Sequence, residues 1–124
     1  MSKSQALLYR MNDTPAPKLA RIFAALSVGV RIRIIRNIAR HGTIGVGKPR
    51  KGRGCTIKEA GRGLGVGWPT LSHHVSVLEK AGMITISRHG RFKRCWITTE
   101  AIGVMSEFFM SLGPRVEVEY LTSI

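Results

Sequence analysis

Only a few side chains in this chain could take part in catalysis or ligate a metal ion, and their spacing suits neither role. His73 and His74 are adjacent, and adjacent side chains on a helix point about 100° apart, so both imidazoles cannot easily ligate one ion. Cys55 and Cys95 form no Cys-x-x-Cys pair and are too few for a disulfide framework. Such sparse cysteines are typical of a reducing compartment, so the cytoplasm is the expected location.

The remaining motifs do not indicate an enzyme. The glycine-rich stretch around Gly47-Lys48 lacks the spacing of a phosphate-binding loop, because Pro49 occupies the position that needs Ser or Thr. The acidic residues are scattered, and no Ser-His-Asp set is suggested. We therefore predict a protein that is not an enzyme and that uses no metal ion and no cofactor.

The charge of the chain indicates an anionic partner. The 124 residues include 20 Lys and Arg and 7 Asp and Glu, a net charge of +13. Residues 1–99 hold 19 of the basic and 3 of the acidic side chains, whereas residues 100–124 hold 1 basic and 4 acidic. A charge this large fits nucleic acid, an anionic membrane or an acidic protein. No apolar run approaches the ~20 residues of a membrane span, and the N-terminus lacks the apolar stretch of a signal peptide. Nucleic acid is therefore the favoured partner.

The apolar pattern, caps and turns predict one domain over residues 1–124, mainly α-helical with a small β-hairpin. Helices are expected over 17–27, 30–40, 68–81 and 99–112, with a short one at 4–11 and another from the capping box Thr56-Ile57-Lys58-Glu59 to Gly65. Strands are expected over 83–87 and 92–98. A basic, glycine-rich loop covers 41–54.

The order of elements from residue 56 onward is that of a helix-turn-helix followed by a wing. Val66 and Gly67 make a tight turn, and Trp68-Pro69 opens the next helix, where a proline is tolerated. Two helices over 56–81 and a basic hairpin over 83–98 then form a unit that lays its second helix in the major groove of DNA.

Two details of this unit can be predicted from spacing. A two-residue turn at His89-Gly90 would place Arg88 opposite Arg91 at the wing tip, an unfavourable pairing unless the tip meets phosphates. On the second helix, the apolar face of Leu71, Val75 and Leu78 is expected to face the core, and His74 at its edge is expected to be packed and hydrogen-bonded. Trp68 either contacts DNA or covers the end of the core.

The helix over 30–40 carries one cation in an unusual place. Arg31 falls on the apolar side of this helix, so its side chain should either find a partner or extend towards solvent.

The stretch Pro69-Thr70-Leu71-Ser72-His73-His74, followed by Leu78 and Ala81-Gly82, resembles the ArsR/SmtB (arsenic-repressor-like) family of winged-helix repressors. A weaker match is Ala25-Leu26-Ser27 followed by Arg31-Ile32-Arg33-Ile34-Ile35, and the likeness extends over roughly residues 17–112.

The resemblance implies a homodimer that places two recognition helices in successive major grooves of an inverted-repeat operator. It also implies a repressor, and many members of the family release DNA when a metal ion binds. The metal-binding property is not expected here. Thr56 and Lys58 stand near the position of the family's Cys-x-Cys ligands, and the C-terminal helix offers no His. The effector, if one exists, is unknown.

These considerations assign residues to two surfaces and one arm. The expected contacts with double-stranded DNA are Trp68, Pro69, Thr70, Ser72, His73, Ser76, Arg88, Arg91, Lys93 and Arg94. Further contacts with the DNA backbone are expected from Lys48, Arg50, Lys51 and Arg53. The dimer interface, formed by helices within 4–27 and 99–112, is expected to use Leu19, Ile22, Ile102, Met105, Phe108, Phe109 and Leu112.

Two alternatives stay open at this point. A repressor of the same fold could respond to oxidants through Cys55 and Cys95, although spacing alone does not bring the two thiols together. Cys95 is expected to be buried on the same strand face as Ile84, and Cys55, at the end of the 41–54 loop, is expected to be exposed. A less specific nucleic-acid-packaging protein would also explain the charge of +13 and the basic loop. A winged helix that binds another protein is disfavoured, because the positive charge lies on the side that would face DNA.

Overall fold

The structure, a computed structural model, describes residues 16–41 and 54–113. Within these ranges the helices are α1 (Ala16–Leu26), α2 (Gly29–His41), α3 (Ile57–Ala60), α4 (Trp68–Lys80) and α5 (Thr99–Ser111), and the strands are β1 (Cys55–Thr56), β2 (Ile84–His89) and β3 (Phe92–Ile97). The predicted mainly helical fold with a small hairpin is confirmed. The helix expected at 4–11, all but the ends of the 41–54 loop, and the segment after residue 113 lie outside the described residues.

Helices α1 and α2 form because their apolar side chains recur at helical spacing and are buried together. Ile22 on α1 and Ile34 and Ile38 on α2 are fully buried in the central core. The side chain of Asn37 fastens α2 to the helix-turn-helix, because its Nδ2 donates to the carbonyl oxygens of Ala60 (2.9 Å) and Arg62 (3.1 Å).

The predicted capping box begins α3. The backbone N–H of Glu59 donates to Thr56 Oγ1 at 3.1 Å, and the backbone N–H of Thr56 donates to Glu59 Oε1 at 3.1 Å. The helix ends at Ala60, earlier than the expected Gly65. Gly63 and Gly65 have φ values of +75° and +67°, and a left-handed backbone cannot continue an α-helix.

Helix α4 follows Gly67 and contains Pro69 in its first turn, as predicted. Its buried residues are Leu71, Val75 and Leu78, the three that the periodicity assigned to the core. The helix ends at Lys80, and Gly82 adopts φ +82° beyond it, a conformation that favours glycine.

The hairpin turn lies one residue later than predicted. His89 pairs with Phe92 and Arg88 with Lys93, so the two-residue turn is Gly90-Arg91, and the expected pairing of Arg88 with Arg91 is wrong. Gly90 has φ +64° at the first turn position, as a type II′ turn requires.

The observed register also matches apolar residues across the strands. Ile84 pairs with Ile97 and Ile86 with Cys95, whereas the expected turn would have set Ile86 against Lys93. The faces of the strands are unchanged by the shift, so Cys95 shares the buried face with Ile84, as expected.

A strand that the sequence did not reveal completes the sheet, whose order is β1-β3-β2. Strand β1 has two residues, and Cys55 pairs antiparallel with Cys95. Both side chains are fully buried, so the expectation that Cys55 is exposed at a loop end is wrong. Pairing with β3 draws the end of the loop into the core.

Helix α5 packs against α1. Thr98 caps it, because Thr98 Oγ1 accepts from the Ala101 backbone N–H at 3.3 Å and donates to the Gly82 carbonyl at 2.6 Å. The Phe23 ring meets Phe108 and Phe109 edge-on, with centroids 5.6 and 5.9 Å apart. Across 16–41 and 54–113, the helices are too short or too polar to cross a membrane.

Candidate nucleic-acid interface

One face of α4 is turned towards solvent because the opposite face fills the core. Ser72 and His73 are exposed, and so are Trp68, Pro69 and Thr70 in the first turn. Ser76 is half-buried. The residues predicted to contact DNA from this helix are therefore accessible, Ser76 less so than the others.

The wing brings its cations to the beginning of this helix. A groove of about 370 Å³ separates the wing tip from the starts of α3 and α4, and we call it the wing groove. Its lining residues are Thr56, Ile57, Lys58, Trp68, Arg88, Arg91, Phe92 and Lys93. Arg88, Arg91 and Lys93 are thus placed beside Trp68, although they are at least 20 residues apart in the chain.

Two residues of the wing groove were missed from the sequence. Phe92 is 61% exposed at the start of β3, and Lys58 is exposed on α3. Phenylalanine is common in strands, so from the sequence Phe92 looks like a buried strand residue, and only the structure shows that it is exposed. The basic character of Lys58 was a signal, but a surface lysine is too common to single out.

The predicted basic residues of the wing differ in their surroundings. Arg88, Arg91 and Lys93 are exposed, whereas Arg94 is half-buried and its Nη1 donates to the Gly54 carbonyl at 3.1 Å. Arg94 therefore also fastens the wing to the residue that precedes β1.

The ion pairs of the described segments leave the wing cations available. The contacts between basic and acidic side chains there are Lys18–Glu100 and His41–Glu59, the second charged on both sides only when His41 is protonated, and neither includes a wing residue. The backbone contacts expected from Lys48, Arg50, Lys51 and Arg53 lie outside the described residues.

The adjacent histidines have different surroundings. His74 is half-buried, and its Nδ1 accepts a hydrogen bond from Arg31 Nε at 3.2 Å. Burial, the Arg31 charge and His73 lower the pKa of His74, so the neutral imidazole is the form that accepts this bond. The predictions of a packed, hydrogen-bonded His74 and of a partner for Arg31 are confirmed. Within 16–41 and 54–113, no three potential ligands among His, Cys, Asp and Glu come together to hold a metal ion.

The two cysteines contact each other across the sheet. Cys95 Sγ lies 3.3 Å from the Cys55 carbonyl oxygen, as a donor to it. The hydrogen bond with Cys55 raises the pKa of the Cys95 thiol, and burial raises it further. A hydrogen bond from Cys95 lowers the pKa of the Cys55 thiol, against the effect of burial. Cys55 is thus the thiol of the pair that ionises first.

The surface expected to form a dimer divides into buried and exposed parts. Leu19 and Ile22 belong to the core of the single chain, so little of either side chain remains for a partner. Phe109 and Leu112 are exposed, and Ile102, Met105 and Phe108 are half-buried. Met110, which was not assigned to the interface, is 75% exposed.

Solved structures of similar fold include two regulators and a DNA-binding domain. An ArsR family transcriptional regulator superposes with a TM-score of 0.63 at 20% identity, covering 80% of this chain and 90% of its own. The homodimeric winged helix-turn-helix DNA-binding domain of Mb0332 from Mycobacterium bovis gives 0.58 at 19% identity, covering 100% and 94%. The transcriptional repressor BigR from Xylella fastidiosa gives 0.54 at 22% identity, covering 74% and 81%.

Sequence comparison adds nothing to this likeness, because no protein-family model and no curated protein matches the chain. The arrangement of α3, α4 and the wing, together with these superpositions, leads to one conclusion. The chain has the winged helix-turn-helix fold found in ArsR-family transcriptional regulators.

Proposed function

We propose that the protein is a transcriptional regulator, a repressor that binds an inverted-repeat operator in double-stranded DNA as a homodimer. The observation that carries this proposal is the placement of Arg88, Arg91 and Lys93 beside the exposed first turn of α4. Helix α4 then enters the major groove, and the wing cations meet the flanking phosphates. The winged helix-turn-helix neighbours, one of them a homodimeric DNA-binding domain and one a repressor, support it.

Within this surface the roles are divided by chemistry. Ser72 and His73 carry short donors and acceptors on the exposed face of α4, which suits the reading of base edges. The arginines and lysine of the wing suit phosphates, which fix position without reading sequence. His74 and Arg31 act behind this face, where their hydrogen bond joins α4 to α2.

The dimer is proposed to form through α1 and α5. Phe109, Met110 and Leu112 expose apolar surface at the end of α5, and the Phe23 ring joins this surface to α1. Residues 100–124 are also net acidic, unlike the remainder of the chain. This end of the molecule is therefore suited to a partner subunit and poorly suited to phosphates.

The decisive experiment is selection of bound duplexes from a random DNA pool at about 150 mM salt, where nonspecific phosphate attraction is screened. We expect enrichment of an inverted repeat with half-sites about one helical turn apart. Good binding without any enrichment would contradict sequence reading and favour the packaging alternative.

Two variants separate sequence reading from phosphate binding. Ser72→Ala with His73→Ala should reduce the preference for the selected operator over random DNA, with little effect on nonspecific affinity. Arg88→Ala with Arg91→Ala should weaken all sequences alike. If the wild type neutralises about 6 phosphates, its plot of log K against log salt has a slope near −5, and the arginine variant should reduce that slope by about 2. A Ser72→Ala, His73→Ala variant that weakens operator and random DNA equally would contradict this division.

A second candidate, redox control of the same regulator, is favoured by one observation. Cys55 and Cys95 are directly paired across antiparallel strands, and partner Cα atoms in such pairs lie about 4.5–5.5 Å apart, within the range that a disulfide spans. A hydroperoxide would oxidise the Cys55 thiolate to a sulfenic acid and release water or an alcohol. The Cys95 thiol would then attack the sulfenic sulfur of Cys55, which forms the disulfide and releases water.

The oxidant can reach the thiols only when β1 opens, since both thiols are buried. Strand β1 has two residues at the edge of the sheet, so local opening there is less costly than in the core. Peroxide treatment of the wild type should protect both thiols from alkylation and change operator affinity. Cys55→Ser should abolish both effects, and Cys95→Ser should stop the oxidation at the Cys55 sulfenic acid, without a disulfide. An unchanged peroxide response in these variants would exclude the pair as the sensor.

A further inference from the structure

The wing groove combines exposed aromatic rings with cations, whereas binding of a phosphate backbone needs only the cations. Trp68 and Phe92 are 62% and 61% exposed, whereas the other tryptophan, Trp96, is 4% exposed. Both exposed rings line the groove, together with Ile57, the first residue of α3. Large aromatic side chains this exposed around one concavity are typical of a binding site.

Cations surround these rings. Lys58, Arg88, Arg91 and Lys93 line the same groove, and none of its described lining residues is acidic. The volume of about 370 Å³ falls within the range of small-molecule sites. The groove therefore offers flat apolar surface for a ring and guanidinium groups for a carboxylate, which arginine can hold in two parallel hydrogen bonds.

This combination discriminates between classes of ligand. Inorganic phosphate would engage the cations and leave the aromatic rings in water. A neutral aromatic compound would cover the rings and leave the cations without a counter-charge. A planar ring that carries a carboxylate satisfies both, through stacking or edge contacts with the rings and ion pairing at its rim.

We propose that the wing groove binds a planar aromatic carboxylate, and that this ligand excludes DNA from the recognition surface. The exclusion of DNA rests on the proposed function, because the ligand and DNA would then use the same residues, namely Trp68, Arg88, Arg91 and Lys93. The protein would then be a regulator released from its operator by an aromatic acid.

Binding of an aromatic carboxylate is tested on the full chain without DNA. Calorimetric titration with 2-naphthoate should give saturable binding, and 2-naphthalenemethanol and inorganic phosphate should each bind at least about tenfold more weakly. Equal binding of the charged and neutral naphthalenes would overturn the role of the cations. Failure of 2-naphthoate to bind would overturn the proposal.

Variants localise the site. Trp68→Ala and Phe92→Ala should each weaken 2-naphthoate about 3- to 10-fold, the usual worth of one aromatic contact. Both residues are exposed, so the fold should persist, and circular dichroism checks this. The control is Arg21→Ala, which removes an exposed cation of α1 outside the groove and should leave affinity unchanged. Equal losses in Arg21→Ala and the groove variants would mean nonspecific attraction and overturn the site.

Release of DNA by the ligand is tested separately, with the operator obtained by selection. Saturating 2-naphthoate should displace the wild type from DNA, and the displacement should require more ligand in Phe92→Ala by the same factor as its loss of affinity. Binding of 2-naphthoate without displacement would overturn competition and leave DNA recognition intact. A protein that binds 2-naphthoate but no DNA would overturn the proposed function and leave the ligand site standing.

Discussion

Burial decides what identical side chains do in this molecule. His73 and His74 are neighbours, yet His73 faces solvent and His74 accepts a hydrogen bond from Arg31. Trp68 and Trp96 likewise differ, because one lines the wing groove and the other is buried in the sheet region. At this scale residue type indicates which chemistry is available, and the surrounding chain selects the residue that uses it.

The lowered pKa of His74 makes a prediction about stability and pH. A base whose folded-state pKa lies below its unfolded value of 6.5 favours folding when it is neutral. Its contribution is complete above pH 6.5 and is lost as the pH falls through that value towards the lower folded-state pKa. Urea unfolding of the wild type between about pH 5 and 8 should show this loss.

The matched variant is His74→Gln, whose side-chain oxygen can accept from Arg31 but does not titrate. We expect this variant to lose the His74 component of the pH dependence while it stays folded at pH 8. A pH profile identical to that of the wild type would show that His74 does not cause the effect.

Short elements here depend on their ends more than on their length. Helix α3 has four residues and begins at a complete capping box. Strand β1 has two residues and is held by β3, and the hairpin turns at a glycine with positive φ. Such elements are stabilised by specific terminal contacts, because four residues are too few to propagate a helix by themselves.

The capping box gives a prediction for α3. Thr56→Ala removes the acceptor for the Glu59 backbone N–H, so the free energy of unfolding should fall by about 1 kcal/mol in urea denaturation. Thr99→Ala is the control, because Thr99 is the exposed first residue of α5 and the cap of that helix is Thr98. We expect its effect to stay within about 0.5 kcal/mol. A comparable loss in both variants would argue against a specific cap.

Two glycines at helix ends should respond oppositely to alanine. Gly82 has φ +82° and open space around its Cα, so Gly82→Ala should cost about 1–2 kcal/mol through backbone strain alone. Gly29 begins α2 without positive φ and also has open space, so Gly29→Ala should be neutral or stabilise by up to about 1 kcal/mol. Thermal denaturation checks both. A loss in Gly29→Ala equal to that in Gly82→Ala would contradict the conformational explanation.

In the whole molecule, the cationic surface and the exposed apolar surface belong to different elements. The wing carries Arg88, Arg91 and Lys93 beside the start of α4, whereas the C-terminal part of α5 exposes apolar side chains. The proposed dimer joins two chains at the apolar end and leaves two basic surfaces outward. A dimer through the basic surfaces would bring like charges together, which is unfavourable.

The proposed dimer can be broken at one exposed position. Met110→Glu places a charge on the apolar end of α5 and should weaken self-association by about 2 kcal/mol, roughly 30-fold, in sedimentation equilibrium. The control is Ile32→Glu, a 40% exposed apolar residue of α2, a helix that the proposed interface does not include. Its self-association should match that of the wild type. A monomeric wild type, or equal weakening in both variants, would contradict this interface.

The local elements of this protein could be predicted from its sequence, because their signals are local. The helical periodicity of Leu71, Val75 and Leu78, the Thr56-Glu59 capping box and the Val66-Gly67 turn before α4 each act within a few residues. These signals specified the helix-turn-helix and most helix boundaries. Net charge, a sum over the chain, predicts an anionic partner without any structure.

The pairings between distant segments were decided only by the tertiary structure. Hairpin register depends on which apolar residues pack under the sheet, so Ile86 pairs with Cys95 and the turn moves to Gly90. The contact of Cys55 with Cys95 needs β1, which two residues cannot signal. The wing groove likewise requires α4 and the hairpin to fold against one core before Trp68 and Phe92 can line it together. Periodicity specifies the face on which a residue lies, but packing selects the residues that this face meets.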